Sequence, residues 1–240
     1  MRWLAGAASI LLLASCAHTV DGAAGPAATA VTVLPTEEEI TSAVGNSLST
    51  FGFQPFVGGA EILPDGYRTE ADASPIDCVG VTDTAPRIVY EPLGLVEAAR
   101  QSYFNWDEGV DTSGADAAVL RLPTADAAAS AFDAFVRQWQ QCGGTTVVKH
   151  LGVTGNTGAD STVDATVSEV AVIGPMLSAT VRTRPSSDAP KARYERVLGV
   201  RDDTIVEVSL ALTPQGERAL TPRGQAARVA QVMLDEVGRG

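Results

Sequence analysis

The sequence predicts an α+β domain: an antiparallel sheet flanked by about three helices. Three observations carry that prediction. Apolar residues recur at helical spacing in three separate segments, the second half of the chain is nearly all strand composition, and the order is helix, mixed strands, helix, antiparallel meander, closing helix. The chain shows no internal repeat.

The first helix is expected over Glu37 to about Ser49. Thr36 and Glu39 form a capping box, three glutamates sit against the positive helix end, and Ile40, Val44 and Leu48 fall four apart. From Gly52 to Asp77 the chain is rich in turn residues and is expected to wrap the surface without a regular element. Three strands follow, at Arg87–Glu91, Gln101–Trp106 and Ala117–Leu122. Thr124 then caps a second helix that runs to Cys142. Ala128, Phe132, Phe135, Trp139 and Cys142 share one face of it, and Gly143 and Gly144 end it. The meander takes in Thr145–His150, Thr162–Ile173, Leu177–Arg184, Arg193–Val200 and Thr204–Leu212, with Asp202 and Asp203 turning the last hairpin. A third helix, capped by Thr221 and opened by Pro222, carries Ala226, Val229, Ala230, Met233 and Val237 on its apolar face.

The N-terminus states a destination. Arg2, an apolar run from Leu4 to Leu13, and small residues up to Cys16 form a secretory signal too short to span a bilayer. Its last four residues, Leu13-Ala14-Ser15-Cys16, fit the bacterial lipoprotein cleavage box, in which the cysteine receives a diacylglyceryl thioether. Two acyl chains suffice for lasting attachment. The expected organisation is therefore a signal over 1–15, a lipidated flexible tether over 16–35 that includes His18, and one domain over 36–240. The protein is placed on the extracytoplasmic face of the cell membrane, with the membrane as a partner through Cys16.

Composition narrows the function. Apolar residues make up 45% of the chain and the formal net charge is −12, one unit more negative once Arg2 leaves with the signal. Such an acidic surface argues against nucleic acid and against electrostatic docking on anionic lipid. Lysine is nearly absent beside abundant arginine, alanine and valine, a bias of GC-rich genomes that hints at an actinobacterium.

With Cys16 lipidated, Cys78 and Cys142 remain in an oxidising compartment, and a Cys78–Cys142 disulfide is expected. A redox pair or half a metal site are the rival readings. They lack a Cys-x-x-Cys motif, and His150 is the sole histidine of the domain.

Cys-Val-Gly from Cys78, the Ala117–Gly144 block with its Trp-x-x-Cys, and the hairpin from Tyr194 to Val208 together resemble the PknH-like extracellular sensor domain family. That family occurs at the C-terminus of a mycobacterial receptor serine/threonine kinase and in free-standing secreted lipoproteins. The resemblance covers about Thr36 to the C-terminus. It implies a curved antiparallel sheet with helices beside it, a concave face or groove for an unidentified ligand, and no catalytic residues. It also implies a second disulfide, but Tyr194 and Leu210 or Ala211 stand at those positions here.

The chemistry of the remaining residues agrees with a non-enzyme. Kinase motifs and a Gly-x-Ser-x-Gly elbow are absent from the sequence, and His150 lies at the end of a strand-like run. Asp107, Glu108, Asp111 and Asp116 do not match an EF-hand, so no metal and no cofactor is assigned. Tyr103, Trp106 and Trp139 are the candidate ligand contacts, with core packing as the competing account, favoured for Trp139 on its helical stripe. Two functions follow. One is a lipid-anchored binding or sensor module for a small molecule or envelope partner. The other is a carrier that holds acyl chains in a half-barrel cavity.

Overall fold

The computed structural model describes residues 29–151, 161–186, 191–214, 216 and 224–239. Cys16, His18, Thr221 and Pro222 lie outside the described residues. Nine strands form one open sheet: β1 (Phe56–Gly58), β2 (Ala73–Ser74), β3 (Glu97–Phe104), β4 (Thr112–Arg121), β5 (Thr146–Leu151), β6 (Ser161–Ile173), β7 (Met176–Pro185), β8 (Ala192–Arg201) and β9 (Thr204–Leu212). Their order is β1-β3-β4-β9-β8-β7-β6-β5-β2, and every neighbouring pair is antiparallel. The helices are α1 (Ala30–Val33), α2 (Glu37–Val44), α3 (Val79–Thr82), α4 (Arg87–Tyr90), α5 (Ala125–Cys142) and α6 (Gln225–Val237). None of the described helices is long and apolar enough to cross a membrane.

Alternation along the strands sends side chains to two cores, one on each sheet face. Helix α5 lays Ala128, Phe132, Phe135, Trp139 and Cys142 on one face, where they meet Leu177, Val181 and Leu198. The other face is covered by α1, α2 and α6, whose Val33, Ile40, Val229 and Met233 pack with Tyr103, Val197 and Val208. At Gly199 on β8 a Cβ would stand 2.9 Å from Leu234 Cδ1, so the glycine lets α6 lie close against the sheet. The Cys78–Cys142 disulfide ties the segment before α3 to the end of α5.

Several elements differ from the sequence expectation. Arg87–Tyr90 is a turn of helix rather than a strand. Its β-branched residues favour a strand, but Pro86 and Pro92 bracket it. Tertiary packing of Tyr90, fully buried against Phe135, decides its form. Helix α2 stops at Val44 because Gly45 adopts φ 90°, which closes the helix with its N–H on the Thr41 carbonyl. Leu48 still reaches the core beyond it. The segment expected to lack regular structure contributes the two outermost strands, β1 and β2, which pair with β3 and β5. The folded part also begins earlier than Thr36: α1 buries Ala30 and Val33, and the Ala30 N–H donates to Glu97.

The β8–β9 hairpin keeps an unbroken register from Arg193–Leu212 to Arg201–Thr204. Tyr194 stands directly across from Ala211. Main-chain pairing thus holds the hairpin in register at the place where the resemblance implied a second disulfide.

Candidate functional site

On the face covered by α6, the helix begins after Gly224, and among the described residues the adjoining parts of β6, β7 and β8 are left uncovered. A cleft of about 310 Å³ opens there. Ile173, Met176, Val197 and Ala227 form apolar walls, while Ser178, Thr180, Glu169, Arg193 and Glu195 supply polar groups. A small pocket of apolar walls with a few convergent polar groups is the usual form of a binding site.

Each polar group is positioned by a local feature of the chain. The β6–β7 register shifts between Ser168 and Ala171, and within this bulge Glu169 adopts φ 55°. Left-handed backbone is uncommon for a residue with a side chain, and bulges re-aim side chains beside binding sites. Here the bulge brings Glu169 Oε2 to 2.8 Å from the Thr180 hydroxyl, which donates to it, and to 3.6 Å from Arg193 Nη2. Glu195 is fixed differently. Its carboxylate accepts from the Gly224 and Ala226 N–H groups at 3.3 and 3.2 Å, at the positive end of α6.

Arg193 is the unusual member. It is only 7% exposed, and among the described residues its Nε has no hydrogen-bond partner. A buried donor left unpaired costs about 1–3 kcal/mol. The cleft therefore contains a cationic donor whose hydrogen-bonding capacity is not used up by the described residues.

The structure does not bring Tyr103, Trp106 and Trp139 together, and none of them lines the cleft. Tyr103 is buried in the core beneath α1 and α2, and its hydroxyl donates to the Pro35 carbonyl at 2.5 Å. Burial, with Glu37 nearby, pushes its phenol well above the ordinary value. Trp139 is fully buried in the opposite core, 5.7 Å from the Arg196 guanidinium. Trp106 is 73% exposed and stacks on Phe51 at 4.3 Å. The helical stripe had marked Trp139 as core. The cleft residues were missed because they read as ordinary polar positions of alternating strands. The one available signal was that Arg193 and Glu195 fall on the same strand face as the core residue Val197.

The one histidine of the described residues lies away from the cleft. His150 is exposed on β5, its N–H held by the Asp72 carbonyl. Neighbouring Lys149 is buried and pairs with Asp83 at 2.6 Å. Among the described residues no group of histidine, cysteine, aspartate and glutamate side chains is arranged to hold a metal ion.

An open antiparallel sheet with a helical layer on each face, and a cleft where one layer ends, defines the class: a two-faced α+β domain. The chain belongs to the PknH-like extracellular domain family, which matches it over residues 26–236. None of the curated proteins matches it. Among solved structures, the extracellular domain of PknH from Mycobacterium tuberculosis superposes with a TM-score of 0.67, covering 88% of this chain and 95% of that one at 18% identity. At that identity the likeness is one of fold.

Proposed function

We propose that this protein is a lipid-anchored, extracytoplasmic sensor module that binds a small molecule in the cleft between β6–β8 and α6. Its ligand has an apolar body and a hydrogen-bond acceptor that meets Arg193. The observation that carries this reading is the buried, unpartnered Arg193 Nε at a cleft with apolar walls. Membership of an extracellular sensor-type family supports the extracytoplasmic role. The Leu-Ala-Ser-Cys box supports attachment through a diacylglyceryl group on Cys16. The protein acts by binding and not by turnover. A carrier of acyl chains would need a dry aliphatic cavity, whereas Glu169, Thr180 and Arg193 bring charge and hydrogen-bonding groups to this cleft.

The test is organic extraction of the purified protein followed by mass spectrometry, on wild type and Arg193→Gln. A polar or anionic small molecule retained by wild type and lost from the variant is the expected result. Acyl lipid in stoichiometric amount, retained equally by both, would overturn it in favour of the carrier.

A further inference from the structure

The free edge of β1 carries a stripe of exposed apolar side chains that no core uses. Val96 is 61% exposed, Val57 48%, Phe56 56%, Phe53 63%, Phe51 50% and Trp106 73%. They follow β3 from one end to the other. Val96 precedes its first residue, β1 pairs with its Ala98–Arg100 stretch, and Ser49 bridges its last residue, Phe104, beside the Phe51 turn. Eight residues of strand span roughly 25 Å.

The stripe is held in place rather than left over. Phe51 adopts φ 50°, a rare conformation for a bulky residue, and its ring lies flat on Trp106 at 4.3 Å with 6° between planes. The turn beneath it is tied to α2. Glu37 Oε1 accepts from the Thr50 N–H and hydroxyl, both at 2.7 Å, and from the Ser49 hydroxyl at 3.1 Å. A strained aromatic turn that leaves half of Phe51 and most of Trp106 exposed is organised for something outside the molecule.

The place where the chain enters the domain puts that surface within reach of the membrane anchor. The Ala30 N–H is bound to Glu97, next to Val96, at one end of the stripe. Only residues 17–29 separate Ala30 from Cys16, and thirteen residues span at most about 45 Å in any conformation. We infer that the protein lies on the bilayer along its β1 edge, with Phe51, Phe53, Phe56 and Trp106 seated among the lipid headgroups. Phenylalanine and tryptophan suit that depth. Asp107 and Glu108 follow Trp106, so the contact favours zwitterionic over anionic lipid and is insensitive to salt. This inference rests on the Cys16 anchor proposed above.

The mature lipidated protein, reconstituted in phosphatidylcholine vesicles with brominated acyl chains, tests it. Trp3 leaves with the signal and Trp139 is buried, so Trp106 reports the edge. Its emission should shift to the blue and fall to about half, with the effect absent in Trp106→Phe and weakened in a Phe51→Ser, Phe53→Ser double variant. Protein that floats with the vesicles while Trp106 stays unquenched would overturn the docking and leave the anchor standing. Protein that fails to float would overturn both. A Cys16→Ser protein that forms dimers with Trp106 shielded from acrylamide would assign the stripe to a second copy, and one that captures a partner protein through Trp106 would assign it to that protein.

Discussion

Arg196 and Glu207 form an ion pair of 2.8 Å with both side chains almost wholly buried, between β8 and β9 and beneath the segment that carries α3 and α4. Arg196 also donates to the Val81 and Asp83 carbonyls and to the Thr84 hydroxyl. Glu207 accepts from the Ala85 N–H and the Tyr90 hydroxyl. Because the remaining lone pairs and protons are satisfied, the pair offsets its desolvation and fastens a segment with little regular structure onto the sheet.

Removing one partner leaves the other charge buried and unpaired. Arg196→Met or Glu207→Leu alone should lower unfolding stability by about 3–5 kcal/mol, measured by urea denaturation. The double variant should recover much of that loss. Equal loss in the single and double variants would show that the segment is not held by the pair.

The Cys78–Cys142 bridge closes a loop with a sequence separation of 64. In the chain-entropy account such a loop stabilises the fold by about 4 kcal/mol. A Cys78→Ala, Cys142→Ala variant should unfold at correspondingly lower urea, and peptide mapping without reductant should recover the two cysteines joined.

Carboxylates held low by hydrogen bonds, Asp72 and Glu37 among them, should contribute to the acid limb of stability. The Arg68 N–H, then the Thr69 hydroxyl and N–H, hold Asp72 below its ordinary value. Thr50, through its hydroxyl and then its N–H, followed by the Ser49 hydroxyl, does the same for Glu37. The unfolded chain takes up these protons first. Their contribution is therefore complete above the ordinary carboxylate pKa of about 4 and is lost as pH falls through the lower folded values. Asp72→Asn and Glu37→Gln should each flatten the acid limb of a stability–pH curve, while leaving its shape above pH ~6 unchanged.

Arg193 should trade stability against binding. Arg193→Met removes an unpaired buried donor, and thermal unfolding should show stability unchanged or raised by about 1 kcal/mol, whereas the small molecule proposed for the cleft should no longer be retained. A clear loss of stability would mean that the contact with Glu169 outweighs the unpaired Nε.

Periodicity alone determined the long elements. Ala125–Cys142 runs as its apolar stripe dictates, and Thr204–Leu212 keeps the expected bounds although both of its faces are buried. Counting thiols and recognising Cys-Val-Gly with Trp-x-x-Cys likewise marked the disulfide and the family. The tertiary structure decided the rest. It made Arg87–Tyr90 a helical turn, recruited Phe56–Gly58 and Ala73–Ser74 as edge strands, and turned Phe51 outward onto Trp106. It also gathered Glu169, Thr180, Arg193 and Glu195 at one cleft from three strands. A single strand specifies which of its faces is buried. Which other strand lies beside it, and where the covering helix ends, depends on contacts between residues far apart in the chain.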